Sequence, residues 1–295
     1  MSSTSAAFHA ADQGFLVPRC TAPEFVSTML DICRRNNVGL IVPTIDTELP
    51  IYAATVDEFA AAGVTILISD PQVIEIASDK RRTHEWLVET GLPTVRQAEV
   101  ADVLANPGDW AFPLLVKPVG GSSSIGVATV ATREELSFAT RDGDYIVQTL
   151  AQGTEYTIDA LIDRSGHCVC AVPRKRLEVR AGEVSKAVTF RSAELIALAK
   201  RVFESLPGAF GVQNVQVFLN DDGDMRIIEI NPRFGGGYPL SWQAGAHYPR
   251  WLIEEQRNLP STVTEDWQDG LTMLRYDDAV FVAPSTPSSP RREDR

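Results

Sequence analysis

The sequence predicts a mixed fold of the α+β and α/β classes, and three features of the chain support this prediction. Residues 21–69 alternate helical apolar spacing with short apolar runs, as in half of a βαβ layer. Residues 112–231 instead contain strand-like apolar segments separated by turn residues, which favours antiparallel sheet. The 295 residues, 44% of them hydrophobic and 22% charged, suffice for a substantial core divided among two or three subdomains.

The acidic composition excludes some classes of partner. A net charge of −12 argues against broad electrostatic attraction to nucleic acid or anionic lipid. No apolar stretch approaches the roughly 18 to 20 residues that span a bilayer, and the first residues lack the basic and apolar regions of a secretion signal. We therefore expect a cytoplasmic protein whose partners include neither nucleic acid nor membrane. Its four sparse cysteines fit neither a disulfide scaffold nor the usual zinc spacing, so we expect reduced thiols.

Residues 1–76 predict part of a Rossmann-like domain. Helical spacing over residues 21–36 precedes the apolar run VGLIVP, which predicts a buried strand. Residues 47–63 predict a second helix closed by Gly63, and the strand VTILIS follows. The first strand and the Gly-rich turn of a complete unit are not found, so we expect the chain to begin inside such a domain.

The pattern changes after Asp79, which predicts the N-cap of the helix KRRTHEWLVETG. Alternating strands and single helices follow, and the last helices are expected within residues 240–258. The Pro/Ser-rich tail 283–295 is too polar to fold. The predicted strands, in order, are FPLLVKPV, VATVAT, DYIVQTL, EYTIDALID, HCVCAVP, FGVQNVQVFLN and DMRIIEIN, and the intervening helices are REELSFAT and SAELIALAKRVFESL.

A Gly- and Ser-rich stretch between two of these strands is a candidate phosphate loop. Its backbone N–H groups can approach phosphate oxygens, because glycine carries no Cβ and tolerates positive φ. A flexible hairpin turn would explain the same composition, and the stretch lacks the G-K-[ST] ending of a P-loop. The residues concerned are Gly120, Gly121, Ser122, Ser123, Ser124 and Gly126.

Two lysines that precede this stretch in the chain are candidate phosphate ligands. Lys117 lies within the apolar strand LLVKPV, where an unpaired ammonium must either reach solvent or find an anion. A phosphate would satisfy it. Lys80, just inside the helix after Asp79, would ordinarily be solvated surface.

The segment IIEINPRFGGG predicts a metal platform at the end of a strand. Glu229 and Asn231 are two residues apart and share one strand face, and a short turn folds Gln216 back beside Glu229. One carboxylate and two amide oxygens suit Mg²⁺ that is completed by waters and phosphate oxygens. A solvent-facing polar patch is the alternative. Arg233, on the following Gly-rich turn, can bind a carboxylate or phosphate bidentately.

A second basic segment, PRKRLEVRAGEVSK at residues 173–186, interrupts a strand-rich region. A run of charges is usually a solvated face, but a substrate-facing loop competes with that interpretation here. An anionic carboxylate requires a cation that solvent does not screen. We therefore predict that substrate recognition involves Arg174, Arg176, Glu178 and Arg180.

The order of these motifs resembles the ATP-grasp superfamily, and most closely its carbamoyl-phosphate-synthase-like single-chain members. The resemblance covers about residues 36–280, and VPTIDTELP also looks like their pre-grasp segment. It implies an ATP-grasp fold, with two α+β subdomains clamping ATP at residues 77–282, preceded by the truncated Rossmann-like segment. The small lid subdomain would occupy about 112–146 and the C-terminal subdomain about 150–282.

The resemblance also implies roles for single residues. Lys80 and Lys117 match the cations that contact nucleotide phosphates, and the Gly/Ser stretch matches the loop that closes over them. Glu155 matches the carboxylate that holds the ribose. The adenine hinge falls at Gln148, Thr149 and Leu150, although the first two depart from the usual Q-E or E-x pair. Gln216, Glu229 and Asn231 match the Mg²⁺ (or Mn²⁺) ligands, and Arg233 would meet the γ-phosphate or the acyl phosphate.

The activity implied is ATP-dependent ligation: a carboxylate is activated as an acyl phosphate, and an amine or similar nucleophile attacks it. Lys117 and Arg233 would serve the transfer step, and no histidine base is required. An ATP-binding subunit or degenerate homologue is the alternative, in which a homodimer mate or partner chain completes the pre-grasp domain. Carbamoyl phosphate synthesis ranks third, because that chemistry looks like two phosphorylations by paired grasp units.

Overall fold

The computed structural model describes residues 4–121, 125–180 and 182–282, in which helices and sheets are mixed. Ser122, Ser123, Ser124 and the tail 283–295, predicted to be disordered, lie outside these ranges. None of the helices in the described ranges is long and apolar enough to cross a membrane. The elements of the N-terminal unit are α1 (Ala6–Ala10), α2 (Phe25–Asn36), β1 (Leu40–Ile41), α3 (Leu49–Ala54), α4 (Val56–Ala61), β2 (Thr65–Ile66) and α5 (Pro71–Ser78).

The N-terminal unit contains a parallel strand pair with a helical crossover, as the sequence predicts. Leu40 of β1 pairs with Thr65 of β2. The single helix predicted over residues 47–63 is wrong, because the chain leaves the helical region at Thr55 (φ −122°, ψ 14°). A 3₁₀ turn, Asp46–Glu48, precedes the two shorter helices α3 and α4. Their apolar faces form a core of their own around Tyr52 and Phe59.

A four-stranded antiparallel sheet carries the Gly/Ser stretch. Its strand order is β3-β6-β4-β5, and the stretch connects β4 to β5. Helices α7 and α8 cover one face, over a core that includes Val103, Leu114 and Leu136. The elements are α6 (Lys80–Glu89), β3 (Gln97–Glu99), α7 (Val100–Ala105), β4 (Leu114–Pro118), β5 (Ala128–Val130), α8 (Arg133–Ala139) and β6 (Tyr145–Thr149).

The larger sheet has six strands in the order β11-β10-β7-β8-β9-β12. Helices α9, α10 and α11 bury their apolar faces against it, with Phe203 and Trp251 among the core residues. The elements are β7 (Thr154–Ile162), β8 (Cys168–Arg180), β9 (Glu183–Thr189), α9 (Ala193–Glu204), β10 (Gly211–Leu219), β11 (Met225–Asn231), α10 (Tyr238–Gln243), α11 (Tyr248–Gln256) and β12 (Thr272–Leu274).

The basic segment 173–186 is a strand hairpin, so its interpretation as a loop is wrong. Strand β8 runs to Arg180 and pairs with β9, with Lys175 opposite Val188 and Glu178 opposite Lys186. The ladder hydrogen bonds hold these residues in extended backbone. Arg174 is buried and Arg176 half-buried in the covered part of the sheet, whereas Arg180 lies in solvent at the end of the hairpin.

The two sheets meet where β11 passes the segment before β3. The backbone N–H of Ile227 donates to the carbonyl of Pro93 (2.9 Å), and the Thr94 hydroxyl donates to the Ile227 carbonyl (3.0 Å). The ammonium of Lys117 on β4 donates to the carbonyl of Ile228 (3.3 Å). These bonds place Gly120 and Gly121, which follow β4, beside the polar end of β11.

Candidate active site

The hairpin of β10 and β11 brings three oxygen-bearing side chains together. Gln216 pairs directly with Glu229, as the sequence predicts, and Asn231 pairs with Asn214. A bulge between Gln216 and Val217 interrupts the register after these pairs. Glu229 and Asn231 share one face of β11, because side chains alternate along a strand. Their juxtaposition follows from a local hairpin with a short turn.

Asn214 fixes the orientation of the Asn231 amide. The Asn214 Nδ2 donates to the backbone carbonyl of Arg233 (3.1 Å), which leaves its Oδ1 facing Asn231. The Asn231 Nδ2 donates to that Oδ1 (3.3 Å). A carbonyl can only accept a hydrogen bond, so this chain of bonds determines which end of each amide faces which partner. The Asn231 Oδ1 is thereby directed away from Asn214, accepts a hydrogen bond from the Arg233 Nη2 (3.4 Å) and is a candidate metal ligand.

Lys117, which is buried, and Lys80, which is half-buried, supply positive charge beside Glu229. Lys117 is 6% exposed, and burial lowers the pKa of its ammonium to about 8, although Glu229 opposes this shift. Burial also lowers the pKa of Lys80, whose Nζ donates to the carbonyls of Gly121 (2.9 Å) and Val119 (3.4 Å). The Asp79 carboxylate caps helix α6 through the N–H of Arg81 (2.8 Å), so the predicted N-cap is confirmed.

Glu229 is the carboxylate that these lysines face. Burial raises its pKa, and the charges of Lys80 and Lys117 oppose this effect. Two ammonium groups against one carboxylate leave an excess of positive charge in a poorly solvated place. The group is therefore suited to bind an anion with several oxygens, or a metal–anion pair.

Lys80, Lys117 and Glu229 line a space of ≈ 330 Å³ between the two sheets, which we call the cleft. Its polar wall contains Lys80, Lys117, Gln216 and Glu229. Its apolar wall, which the sequence reasoning missed, consists of Leu115, Val127, Phe218 and Ile228 together with Ile125 and Val179. The sequence did contain a signal for this apolar wall. Leu115 lies two residues before Lys117, and Phe218 lies two residues after Gln216, so each apolar side chain shares a strand face with its polar neighbour. An apolar wall beside buried cations suits a ligand with a flat apolar part and an anionic tail.

Glu155 lies at the edge of the cleft and pairs with Arg176 (Oε1 to Nε, 3.4 Å). Burial raises the pKa of Glu155, and Arg176 opposes this effect. The predicted hinge residues Gln148, Thr149 and Leu150 are not among the described residues that line the cleft. The Gln148 side chain instead donates from Nε2 to the Gln97 Oε1 (2.7 Å), within the smaller sheet.

A second, smaller space of ≈ 60 Å³ adjoins the metal-site candidates, here called the arginine cavity. Arg174 lines it and is 1% exposed. Its Nε and Nη2 donate to the Asp159 carboxylate (2.7 and 2.9 Å), whereas its Nη1 is buried with no partner among the described residues. The cavity is lined further by Arg176, Glu183, Asn231 and Arg233. A guanidinium nitrogen left unpaired in such a place is a candidate anion ligand.

The other two predicted substrate residues lie elsewhere on the hairpin. Glu178 pairs with Lys186 (2.6 Å), and Arg180 pairs with Asp277 (2.6 Å). Their side chains are 50% and 61% exposed, and neither lines the arginine cavity or the cleft among the described residues. The predicted set is therefore divided between an inner pair, Arg174 and Arg176, and an outer, solvated pair.

The glycines after Arg233 leave room for the arginine cavity. A Cβ on Gly237 would lie 2.1 Å from the Arg174 Nη1 and 2.8 Å from the Val184 Cγ1. Arg174 cannot move aside without breaking its bonds to Asp159. Sequence reasoning treated these glycines as turn residues, whereas close approach of the β8 arginine explains Gly237.

We expect Gly237→Ala to destabilise the protein by about 1 to 3 kcal/mol, because the added methyl group overpacks the Arg174 side chain. The φ of Gly237 is −92°, so backbone strain does not contribute. Denaturant unfolding would measure the loss. Gly108→Ala is the control, since a Cβ there meets no atom within 4 Å. Equal stability of the two variants would contradict the steric explanation.

Arg233 has a partner that sequence reasoning missed. Its Nη2 contacts the Asp46 Oδ2 at 2.6 Å, and its Nε donates to the Asp46 Oδ1. The Arg233 Nη1 donates to the Phe234 carbonyl (3.0 Å). Asp46 belongs to the 3₁₀ turn of the N-terminal unit, so this unit reaches the end of β11.

The sequence matches two family models. Residues 77–237 match a model described as an ATP-grasp domain, and residues 1–67 match a model described as a PylC-like N-terminal domain. Among curated proteins, the chain is 28% identical over 188 residues to D-alanine–D-alanine ligase of Pseudomonas fluorescens (strain Pf0-1). The aligned region covers 58% of this chain and 58% of that ligase. It is 28% identical over 200 residues to the carbamoyl phosphate synthase large chain of Thermomicrobium roseum, covering 62% of this chain and 18% of that one. The chain thus spans less than two thirds of the length of these relatives.

A solved structure shares the fold at low sequence identity. It is the biotin carboxylase domain of 2-oxoglutarate carboxylase from Hydrogenobacter thermophilus, in complex with MgADP, ADP and bicarbonate. The TM-score is 0.72 at 17% identity, and the match covers 92% of this chain and 65% of that one.

Proposed function

Because this chain belongs to the ATP-grasp family, as its match over residues 77–237 shows, we propose that it is an ATP- and Mg²⁺-dependent carboxylate–amine ligase. The ATP-grasp fold predicted from the resemblance is confirmed. The observation that carries the proposed activity is that Lys80, Lys117, Gln216 and Glu229 line one cleft. Asn231 lines the adjoining arginine cavity together with Gln216 and Glu229. Such a site can hold a triphosphate tail, together with its metal ions, against the end of β11.

The donor chemistry at the end of β11 fits Mg²⁺. Glu229 supplies a carboxylate, and Gln216 and Asn231 supply amide oxygens, which are hard ligands of modest total charge. The hydrogen bond from Asn231 to Asn214 turns the amide oxygen of Asn231 towards Arg233, whose Nη2 donates to it (3.4 Å), so a metal ion would replace this long hydrogen bond. Bound Mg²⁺ would offset the repulsion between a carboxylate and the phosphate that it attacks. Mn²⁺ fits the same donors.

The chain's own residues would perform three tasks in the reaction. The apolar wall around Leu115, Phe218 and Ile228 would bind the adenine base, and Glu155 would hold the ribose. Lys80 and Lys117 would bind the phosphates, whose charge their buried ammonium groups compensate. A carboxylate oxygen would attack the γ-phosphorus and ADP would leave. The neutral amine would then attack the acyl carbon, and phosphate would leave with the proton that the nitrogen loses.

The arginine cavity would bind the substrate carboxylate. The unpaired Nη1 of Arg174 supports this assignment, because a carboxylate oxygen would satisfy it. Arg176 lines both this cavity and the cleft, so it can contact the acid while holding Glu155. The shared residues Gln216 and Glu229 make the two spaces contiguous.

We expect Arg176→Ala to raise the KM for the acid at least about tenfold, because a charge-assisted hydrogen bond is lost. The KM for ATP should rise less, through the broken pair with Glu155. Acid-dependent ADP release at varied acid and ATP concentrations would measure both constants. Arg180→Ala, on the exposed end of the same hairpin, should leave both unchanged. Equal increases of both constants in Arg176→Ala would remove Arg176 from acid recognition.

The proposed activity is tested by ADP release from a panel of carboxylic acids with hydroxylamine present. The panel contains the proteinogenic amino acids, small 2-oxo and 2-hydroxy acids, and bicarbonate. Hydroxylamine traps an acyl phosphate as a hydroxamate, so the expected result is acid-dependent hydroxamate. Tight ATP binding without ADP release across the panel would instead support a nucleotide-binding subunit.

A further inference from the structure

A third space, of ≈ 190 Å³, lies between the N-terminal unit and the end of β11, here called the apolar cavity. Its walls include Leu49, Pro50, Ile74 and Ala77. Its polar lining includes Asp46, Lys80, Glu229 and Asn231. Glu229 lines this cavity, the arginine cavity and the cleft, so the three spaces meet at one carboxylate.

Asp46 is held at the mouth of the apolar cavity by its own turn. The Glu48 carboxylate accepts hydrogen bonds from the N–H groups of Thr44 (2.8 Å) and Ile45 (3.1 Å). These bonds fix the chain on either side of Asp46, within the VPTIDTELP motif, whose role the proposed reaction does not explain. The Asp46 side chain is 31% exposed and pairs with Arg233, which is 16% exposed.

The pair between Asp46 and Arg233 must change when the proposed acyl phosphate forms. A guanidinium that turns towards a phosphate oxygen gives up its bidentate contact with a carboxylate. Asp46 would then keep a negative charge in a half-buried place next to Glu229, which is costly without a replacement cation. An ammonium is the cation of a size and charge that can take over this position.

We propose that the apolar cavity binds the second substrate, an amine that carries a small apolar group, and that Asp46 binds its ammonium. The inference rests on the proposed ligase function and adds the class and location of the nucleophile. The apolar group would lie against Leu49, Ile74 and Ala77, and the nitrogen would lie near Glu229, where the acyl carbon is formed. The ammonium would replace Arg233 at Asp46 and free Arg233 for the phosphate. It would then pass one proton to the Asp46 carboxylate, so that the neutral nitrogen attacks the acyl carbon, and the phosphate would leave with the second proton.

The chemistry of the lining selects this occupant. An anion would meet the Asp46 carboxylate, so a second acid is disfavoured. Ammonia would leave the apolar walls uncovered and would gain nothing from them. An amine with a few carbon atoms can pair with the Asp46 carboxylate and cover the apolar walls. Each methylene that it buries contributes about 0.8 kcal/mol to the binding free energy.

The first experiment uses the acid that gives hydroxamate with the wild-type protein. Ligation is measured with ammonia, methylamine, isobutylamine, L-alanine and L-leucine. For the preferred amine, Asp46→Asn should raise the KM at least about tenfold, because a hydrogen bond between charged groups is lost. The KM values for ATP and the acid should change less than about twofold. Asp57→Asn, an exposed carboxylate on the same unit, is the matched control and should behave as the wild type.

The second variant tests the walls. Ala77→Leu fills the apolar cavity and should raise the KM for isobutylamine more than that for methylamine. Ala61→Leu, at an exposed position on α4, is its control. Thermal unfolding of all variants shows whether the fold persists. Equal increases of all KM values in Asp46→Asn would mean that Asp46 only orients Arg233, and would overturn the proposal. So would equal use of ammonia and isobutylamine by the wild-type protein.

A binding measurement separates this inference from the proposed function. Isobutylamine is titrated calorimetrically into the wild-type protein and into Asp46→Asn, in the presence of MgADP, without turnover. Binding to the wild-type protein that is lost in Asp46→Asn supports the cavity assignment, even if no acid yields hydroxamate. Hydroxamate formation without isobutylamine or L-leucine binding would leave the ligase function standing and overturn the amine site.

Discussion

Glu229→Gln is expected to lower acid-dependent ADP release at least about 10³-fold, because a neutral amide would hold less tightly the metal ions that would offset several kcal/mol of charge repulsion. Affinity for ATP measured with Mg²⁺ should fall, whereas the smaller affinity measured without Mg²⁺ should not. The fold should persist, since burial raises the pKa of Glu229 and a neutral side chain suits that place. Steady-state kinetics, calorimetry and thermal unfolding would measure the three quantities.

Glu75→Gln is the matched control for this variant. Glu75 is a 63% exposed carboxylate paired with Arg82 on the surface, and its replacement should leave turnover and Mg²⁺ dependence unchanged. A Glu229→Gln protein with full activity would contradict the metal assignment. An unfolded Glu229→Gln protein would show that the carboxylate serves the structure instead.

Lys117→Met is expected to stabilise the unliganded protein and to weaken ATP binding at least about tenfold. Methionine fills a similar volume without a charge. The lowering of the Lys117 pKa from 10.5 to about 8 corresponds to about 3 kcal/mol for keeping the ammonium charged in the fold. Denaturant unfolding and nucleotide titration would measure the two effects.

The pH dependence of this effect has a definite sign. Between pH 8 and 10.5 the unfolded chain binds the Lys117 proton and the folded chain does not, so the stability of the wild-type protein rises with pH. The advantage of Lys117→Met should therefore be greatest below pH 8 and shrink towards pH 10.5. Lys186→Met, at a 46% exposed strand position, should show neither effect. If Lys117→Met were less stable than the wild-type protein at pH 7, the claim that the buried Lys117 charge destabilises the unliganded fold would be wrong.

The candidate metal site was predictable because it is local. A turn in which the Asn220 Oδ1 accepts the N–H groups of Asp222 (3.1 Å) and Asp224 (2.8 Å) joins β10 to β11. Strand alternation then fixes which side chains share a face. Lys117 was predictable for a similar reason, since an ammonium within an apolar strand stands out against its neighbours.

The basic hairpin shows where a local pattern failed. The charges of residues 173–186 favoured a loop, but pairing with β9 extends β8 through them. Arg174 lies in the covered part of that strand and is buried against Asp159, whereas Arg180 lies beyond two register shifts, at the end of the hairpin, and is exposed to solvent. Charge composition alone carries no information about which side of a sheet a neighbouring strand will cover.

The oxygen-bearing face of β11 and the buried lysine can be read from the chain alone, because each depends on side chains a few residues apart. The elements α5, β3, α7, β9 and β12 were not among those predicted. Packing across the fold was needed to show that Asp46 meets Arg233 across 187 residues, that Gly237 makes room for Arg174, and that three spaces converge on Glu229. Contacts between distant segments depend on how whole sheets and helices pack, and no periodicity in the chain records that packing.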